Sequence, residues 1–255
     1  MYTTEITSDT LTSDNPVHQR LFKAYVVASS FVKGEILEVG CGNGRGVALL
    51  MPLVKKFTAI DKYEEAVRTL KGQFPQGEFK VMNIPPFQGI PDESFDQVIS
   101  FQVIEHIQDD EGLLREIHRV LKPGGFALLT TPNKKMSLTR NPWHIREYFP
   151  EELQQLAQKI FPEVTLQGIT GNEKVMRYHD ENRQSVRRIM RWDFLNLQHR
   201  LPAAMLKVPY EILNRFNRKK LEGKARKLVE DISHEDYRVV DDPSEALDLL
   251  LRVRK

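Results

Sequence analysis

Short, largely apolar runs recur at 35–39 (EILEV), 57–60 (FTAI), 97–101 (QVISF) and 126–130 (FALLT), with helical spacing at 46–53, 64–73 and 109–121 between them. This alternation is the tightest constraint the chain places on its own fold. Runs of this kind leave no solvent face, so they read as strands buried on both sides, as in parallel sheets. The stretch at 109–121 puts Leu113, Leu114, Ile117, Val120 and Leu121 on one helical face, and Pro123, Gly124 and Gly125 then turn the chain into the next strand. Alternating units of this type close into a doubly wound, Rossmann-like α/β sheet whose ligands bind at the carboxyl ends of the strands. Segments 164–169 and 246–253 (ALDLLLRV) read as the sixth and seventh strands.

The remaining segments sort around that core of 34–170. Residues 1–33 form an arm, partly ordered over 1–15, followed by an amphipathic helix at 16–32 with Val17, Leu21, Phe22, Tyr25 and Val26. Residues 171–235 are a helical insertion before the last strand, and 236–255 complete the core. Between 174 and 227 there are 15 Lys/Arg against 5 Asp/Glu, whereas the rest of the chain carries 22 against 30. An acidic body with one basic segment follows. That segment mixes Arg187, Arg188, Arg191, Arg218, Lys219 and Lys220 with Trp192, Phe194, Leu195, Tyr210, Ile212, Leu213 and Phe216, and Pro202 and Pro209 are expected to break it into pieces. A cap over an acceptor pocket, a peripheral membrane contact through 174–227 and a plain solvated or oligomer-forming face all stay open.

With 255 residues and 40% hydrophobic composition, the chain can bury one substantial core. It has no run of eighteen apolar residues and no apolar signal core at its polar N-terminus. The single cysteine, Cys41, excludes an intramolecular disulfide and a cysteine-based zinc cluster and fits a reducing compartment. A cytoplasmic protein, soluble or peripheral at a membrane, is the expectation.

Glu38, Gly40, Gly42 and Gly44 stand in EVGCGNG, between the first strand and a helix, where glycines let backbone lie against a ligand. Asp61 ends the second strand, where its carboxylate can accept two ribose hydroxyls, and Asn83 follows the third apolar segment, within reach of an adenine edge. A hydride-transfer fingerprint G-x-G-x-x-G fails: counted from Gly40 its sixth position is Arg45, and from Gly42 it is Val47.

The motifs ILEVGCGNG, AID ending at Asp61, SFDQVISFQVIEHI and LREIHRVLKPGGFALLTTPN occur in that order within 34–133. Together they resemble the class I methyltransferases that use S-adenosylmethionine, in particular the group related to ubiquinone and menaquinone methyltransferases. The resemblance implies a seven-stranded sheet with its last strand antiparallel and S-adenosyl-L-homocysteine as the product; in-line methyl transfer from a sulfonium requires no metal. It implies that Glu38 and the glycine loop serve the methionine end, Asp61 the ribose, and Lys62 or Tyr63 the adenine face. Asn83 stands where the family often has Asp. Phe101 and Gln102 would line the sulfonium, and Arg20 or Tyr25 could meet the cofactor carboxylate from a covering helix.

His106, beyond the fourth strand, and His144, in NPWHIREY, are the candidate general bases, each with a structural alternative. Trp143, Arg146 and Tyr148 belong to the same segment, which in similar proteins lies above the acceptor. For Arg146 a salt bridge to a nearby carboxylate is the competing role. His106 and His118 are too poorly spaced for a metal site. The acceptor is expected to be a small or lipid-like molecule methylated on oxygen or carbon. A cofactor-binding protein without turnover is the alternative. A nucleic-acid substrate is disfavoured, because NIPPF at 83–87 differs in place and order from an amino-methylation tetrad.

Overall fold

The computed structural model describes residues 11–191, Asp193 and 197–255. Residues 1–10 of the arm, and Trp192, Phe194 and Leu195 of the basic segment, lie outside the described residues. Strands β1 (Glu35–Val39), β2 (Lys56–Asp61), β3 (Glu78–Val81), β4 (Phe95–Phe101), β5 (Leu121–Pro132), β6 (Glu163–Gly171), β7 (Tyr237–Val240) and β8 (Asp248–Arg254) form one sheet. Its order is β3-β2-β1-β4-β5-β8-β6-β7. The first five strands are parallel, and β8 runs antiparallel between β5 and β6.

Period-two burial divides the core between the two faces of this sheet. Ile36, Phe57, Ala59, Ile99, Leu128 and Leu250 face one way and meet α1 (Asn15–Ser29), α2 (Val47–Leu50) and α3 (Glu64–Gln73). Leu37, Val39, Ile60, Val98, Leu129 and Leu251 face the other and meet α4 (Asp110–Val120) and α5 (Pro150–Gln158). The Leu113, Leu114, Ile117 and Val120 face of α4 is fully buried, as its spacing predicts.

Three features depart from the expectation. The sheet has eight strands, because Tyr237–Val240 pairs with β6 as an added edge. The helical insertion therefore joins β6 to β7, and residues 236–255 contribute two strands. The YRVV edge is short and only partly buried, so it carries little periodic signal. Pro123, Gly124 and Gly125 lie inside β5, where the pairing jumps from Phe95↔Leu121 to Gln97↔Phe126. They form an irregularity in the strand and not a turn before it.

The insertion holds α6 (Glu173–Met190), α7 (Leu197–Arg200) and α8 (Ala203–Asp231). Pro202 caps α8, but Pro209 lies within it and does not break it; the non-helical residue is Ala225, at φ −139 and ψ 41. Pro209 forfeits only one ladder bond, to the carbonyl of Met205 on a face open to water.

The arm is firmly held from Ser13 onward. Asp14 is fully buried and pairs with Arg218 at 3.0 Å and Arg215 at 3.5 Å, both on α8. Arg218 thus leaves the set of surface cations. The Asn15 amide donates to the carbonyls of Val229 and Ile232 at 2.8 Å each, where α8 ends. Tyr237 donates to the carbonyl of Pro16 at 2.6 Å. The N-terminal helix and the insertion are thereby one substructure. Removing one partner of a buried pair strands the other charge, so Asp14→Ala should cost about 3 kcal/mol in a denaturant melt. The double variant Asp14→Ala/Arg218→Met should recover part of that loss.

Candidate functional site

The parallel strands β1, β2 and β4 end side by side, and the loops that leave them build one wall of a cavity. Gly40 continues the ladder by donating to the carbonyl of Ile60 at 2.8 Å, then turns at φ 78. A Cβ on Gly40 would lie 2.4 Å from Val103, so the loop after β1 can pack on the loop after β4 only with glycine there. Asp61 locks the neighbouring corner. One of its carboxylate oxygens accepts from the amide of Gly42 and the other from the amide of Tyr63, both at 2.8 Å. Gln102, at the tip of β4, holds φ 58, an unusual conformation for a residue with a Cβ. Its amide donates to the carbonyl of Thr130 at 2.8 Å, and its side chain donates to the Thr130 hydroxyl at 3.2 Å.

The covering helix α1 meets this wall through Tyr25. Its hydroxyl donates to Glu38 Oε1 at 2.8 Å, and its ring stands edge-on to Phe101 at 4.8 Å between centroids. A Cβ on Gly46 would fall 1.8 Å from the Tyr25 ring, so glycine is what lets α1 approach. Glu38 is 1% exposed, and its Oε2 has no hydrogen-bond partner among the described residues. Burial pushes its pKa up from 4.5 to about 8, against the Tyr25 hydrogen bond, with the nearby Asp61 adding to the rise. An orphaned carboxylate oxygen beside a ligand cavity suits the cationic methionine end of S-adenosylmethionine. The paired lone pairs of Asp61 suit a ribose diol.

A second wall comes from the segment after β5. His144 Nδ1 donates to Glu147 at 2.6 Å, and its Nε2 accepts from the Asn141 amide at 2.9 Å. Both ring nitrogens therefore serve the loop, which favours the structural role for His144. His106 Nδ1 donates to the carbonyl of Trp143 at 3.0 Å, and the two imidazoles meet edge-to-face at 5.0 Å. Glu105, His106 and His144 offer ligand-type atoms within 4.8 Å of one another. The Thr131 hydroxyl also donates to Glu105, at 3.0 Å.

The cavity between these walls measures about 1630 Å³. Of the residues singled out from the sequence, Tyr25, Gly40, Gly42, Gly44, Asp61 and Lys62 line it. So do Tyr63, Asn83, Phe101, Gln102, His106, Trp143 and His144. Four others do not. Glu38 lies behind Tyr25. Arg20 is paired with the buried Asp248 at 3.2 Å. Arg146 pairs with Asp110, and Tyr148 donates to the same carboxylate at 2.8 Å. The latter two anchor the NPWHIREY segment to α4 and do not line the cavity.

Several wall residues escaped the sequence reading. Arg45 contacts the His18 ring at the rim, and Val103 packs on the glycine loop. From α8, Lys207, Glu211 and Arg215 line the cavity. Lys207 lies 4.0 Å over the Trp143 ring, whose Nε1 donates to Glu211 at 2.9 Å. The four-residue spacing of these three polar residues was the available signal for a polar stripe.

The Glu38 environment has a measurable consequence. A carboxyl whose folded pKa lies above its unfolded value stabilises the fold fully below the lower value and loses that contribution as pH rises through the upper one. Stability of the ligand-free protein should therefore fall between pH 4.5 and about 8. In Glu38→Gln that component of the slope should vanish in melts across this range. An unchanged slope would show that Glu38 does not carry it.

Residues 37–129 match the family model described as a methyltransferase domain. A "probable S-adenosylmethionine-dependent methyltransferase" of Mycolicibacterium smegmatis is 34% identical over 129 residues, 49% of this chain and 50% of that protein. A ubiquinone biosynthesis O-methyltransferase of Xanthomonas oryzae pv. oryzae is 31% identical over 115 residues, 43% and 48% of the two chains. The matches thus span about half the length of these curated relatives. An S-adenosylmethionine-dependent methyltransferase of Thermotoga maritima superposes with a TM-score of 0.57 at 17% identity, covering 94% of this chain and 91% of the other. Its likeness speaks for the fold. The glycine loop, the strand-end Asp61 and these matches make residues 37–129 similar to the methyltransferase domains of S-adenosylmethionine-dependent enzymes.

Proposed function

We propose that this chain transfers a methyl group from S-adenosylmethionine to a small or lipid-like acceptor, at oxygen or carbon. The observation that carries the reading is the size of the cavity beside the glycine loop. Pockets for one small ligand occupy roughly 300–1,000 Å³, and about 1630 Å³ leaves room for a cofactor and an acceptor together. The printed name of the Xanthomonas relative supports oxygen as the acceptor atom.

Bound S-adenosylmethionine supplies an electrophilic methyl on a sulfonium, which a nucleophile takes by in-line displacement. The residues of this chain then have three tasks. Asp61 and the glycine loop fix position, since alignment accounts for much of such a rate enhancement. Phe101 and the Tyr25 ring give the site apolar surface and limit water. His106 can take a proton from a hydroxyl acceptor: donation from Nδ1 to the Trp143 carbonyl leaves Nε2 as the basic nitrogen of the neutral ring.

Two measurements test this. Asp61→Ala should weaken S-adenosylhomocysteine binding by roughly tenfold to a hundredfold in calorimetry, because charge-assisted hydrogen bonds are lost. His106→Asn should lower turnover roughly a hundredfold, with labelled cofactor and a responding acceptor fraction, while leaving that binding intact. Turnover unchanged in His106→Asn removes the residue from the chemistry. Tight binding with no labelled product in any polar or lipid extract would favour the binding protein without turnover.

A further inference from the structure

Helix α8 has three faces, and among the described residues only two of them are covered. Lys207, Glu211 and Arg215 look into the cavity. Leu221 and Asn217 are buried toward α6, where the Asn217 amide donates to Asn182 at 2.7 Å. The third face carries Met205, Val208, Pro209, Ile212, Leu213 and Phe216, a stripe at helical spacing that is open to solvent. Ile212 is 64% exposed and Phe216 62%. Single exposed apolar residues are ordinary, but a contiguous stripe marks a surface that something covers.

The charges around the stripe identify its occupant. Lys219 and Lys220 follow it directly on α8, and both are exposed. Lys174 of α6 reaches the carbonyl of Asp231 at 2.7 Å, so α6 and α8 run antiparallel. The exposed Arg187, Arg188 and Arg191 at the end of α6 therefore lie level with the apolar stretch of α8. Apolar residues flanked by cations match an anionic bilayer, whose acyl boundary takes the former and whose headgroups take the latter. A second copy of the chain would set these cations against each other. A nucleic acid would meet six apolar side chains at the centre of the contact, where such interfaces are polar. No helix among the described residues is long and apolar enough to cross a membrane, so the contact would lie along the surface.

We propose that the outward face of α8 docks on an anionic lipid surface, with Ile212 and Phe216 as its apolar anchors. The opposite flank of the same helix lines the cavity, so docking brings the rim within reach of a lipid-borne acceptor. That consequence rests on the methyl-transfer reading above; the docking itself does not.

Co-sedimentation of the full chain with vesicles tests the docking. Binding is expected to vesicles of phosphatidylcholine mixed with phosphatidylglycerol, and not to phosphatidylcholine alone, and should weaken as salt rises. Ile212→Gln/Phe216→Gln should reduce it by roughly tenfold or more. Each of Arg187→Gln and Arg188→Gln should reduce it roughly fivefold. None of these residues lines the cavity, so S-adenosylhomocysteine binding should stay unchanged and report an intact fold. Failure to bind either vesicle, equal binding to both, or full binding by Ile212→Gln/Phe216→Gln overturns the proposal. A dimer in sedimentation equilibrium that the double substitution dissociates, with no vesicle binding, assigns the face to a second copy instead. Vesicle binding without labelled product supports the docking while overturning the methyl-transfer reading alone.

Discussion

The site depends on β1 lying in parallel register between β2 and β4. Val39 pairs with Ile60 and Glu38 with Ile99, so the three strands stop at one level. Their loops then have no choice but to meet. Gly42 and Tyr63 reach the same Asp61 carboxylate from different loops, and Val103 fills the space that a side chain at position 40 would need. Parallel strands expose their free carboxyl ends on one rim, and loops gathered there supply the side chains that bind. The chemistry is thus a consequence of strand direction first and of residue identity second.

The roof is built from chain ends and an insertion, and it is held by buried polar contacts. Asp14 with Arg215 and Arg218, and Asn15 with the last carbonyls of α8, join the N-terminal helix to the insertion. Arg20 with Asp248 then joins that helix to the sheet. Burial raises the Asp248 pKa while Arg20 opposes the rise, so this pair costs desolvation as it positions the helix. A roof assembled this way can vary its cavity-lining residues on α8 without disturbing the loops after β1 and β2. Fold and cofactor therefore say little about the acceptor.

The core was legible because burial dictates it. The EILEV, FTAI, QVISF and FALLT runs all became central strands, and the 64–73 helix became Glu64–Gln73. The glycine turn and the strand-end place of Asp61 were equally legible, since both are local demands. Segments whose burial is partial were read less well. The YRVV edge strand has too few buried positions to announce itself, and Pro209 looked like a break because its carbonyl partner's exposure could not be foreseen.

Side-chain roles that depend on partners far along the chain were beyond the sequence. Arg146 and Tyr148 carry the chemistry of an anion site, yet Asp110 engages both. Arg218 counts as a surface cation by composition and is half-buried against Asp14, 204 residues away. His144 and His106 are equivalent by type and neighbourhood. Only folded geometry separates them, with the nitrogens of one meeting Glu147 and Asn141 and Nδ1 of the other meeting the Trp143 carbonyl. The sequence by itself determined which segments enter the core and which loop turns at the cavity wall, because apolar periodicity and glycine are local signals. Tertiary structure alone decided which charges face solvent, which partners hold each imidazole and which face of α8 stays open, because each depends on a partner the chain brings from elsewhere.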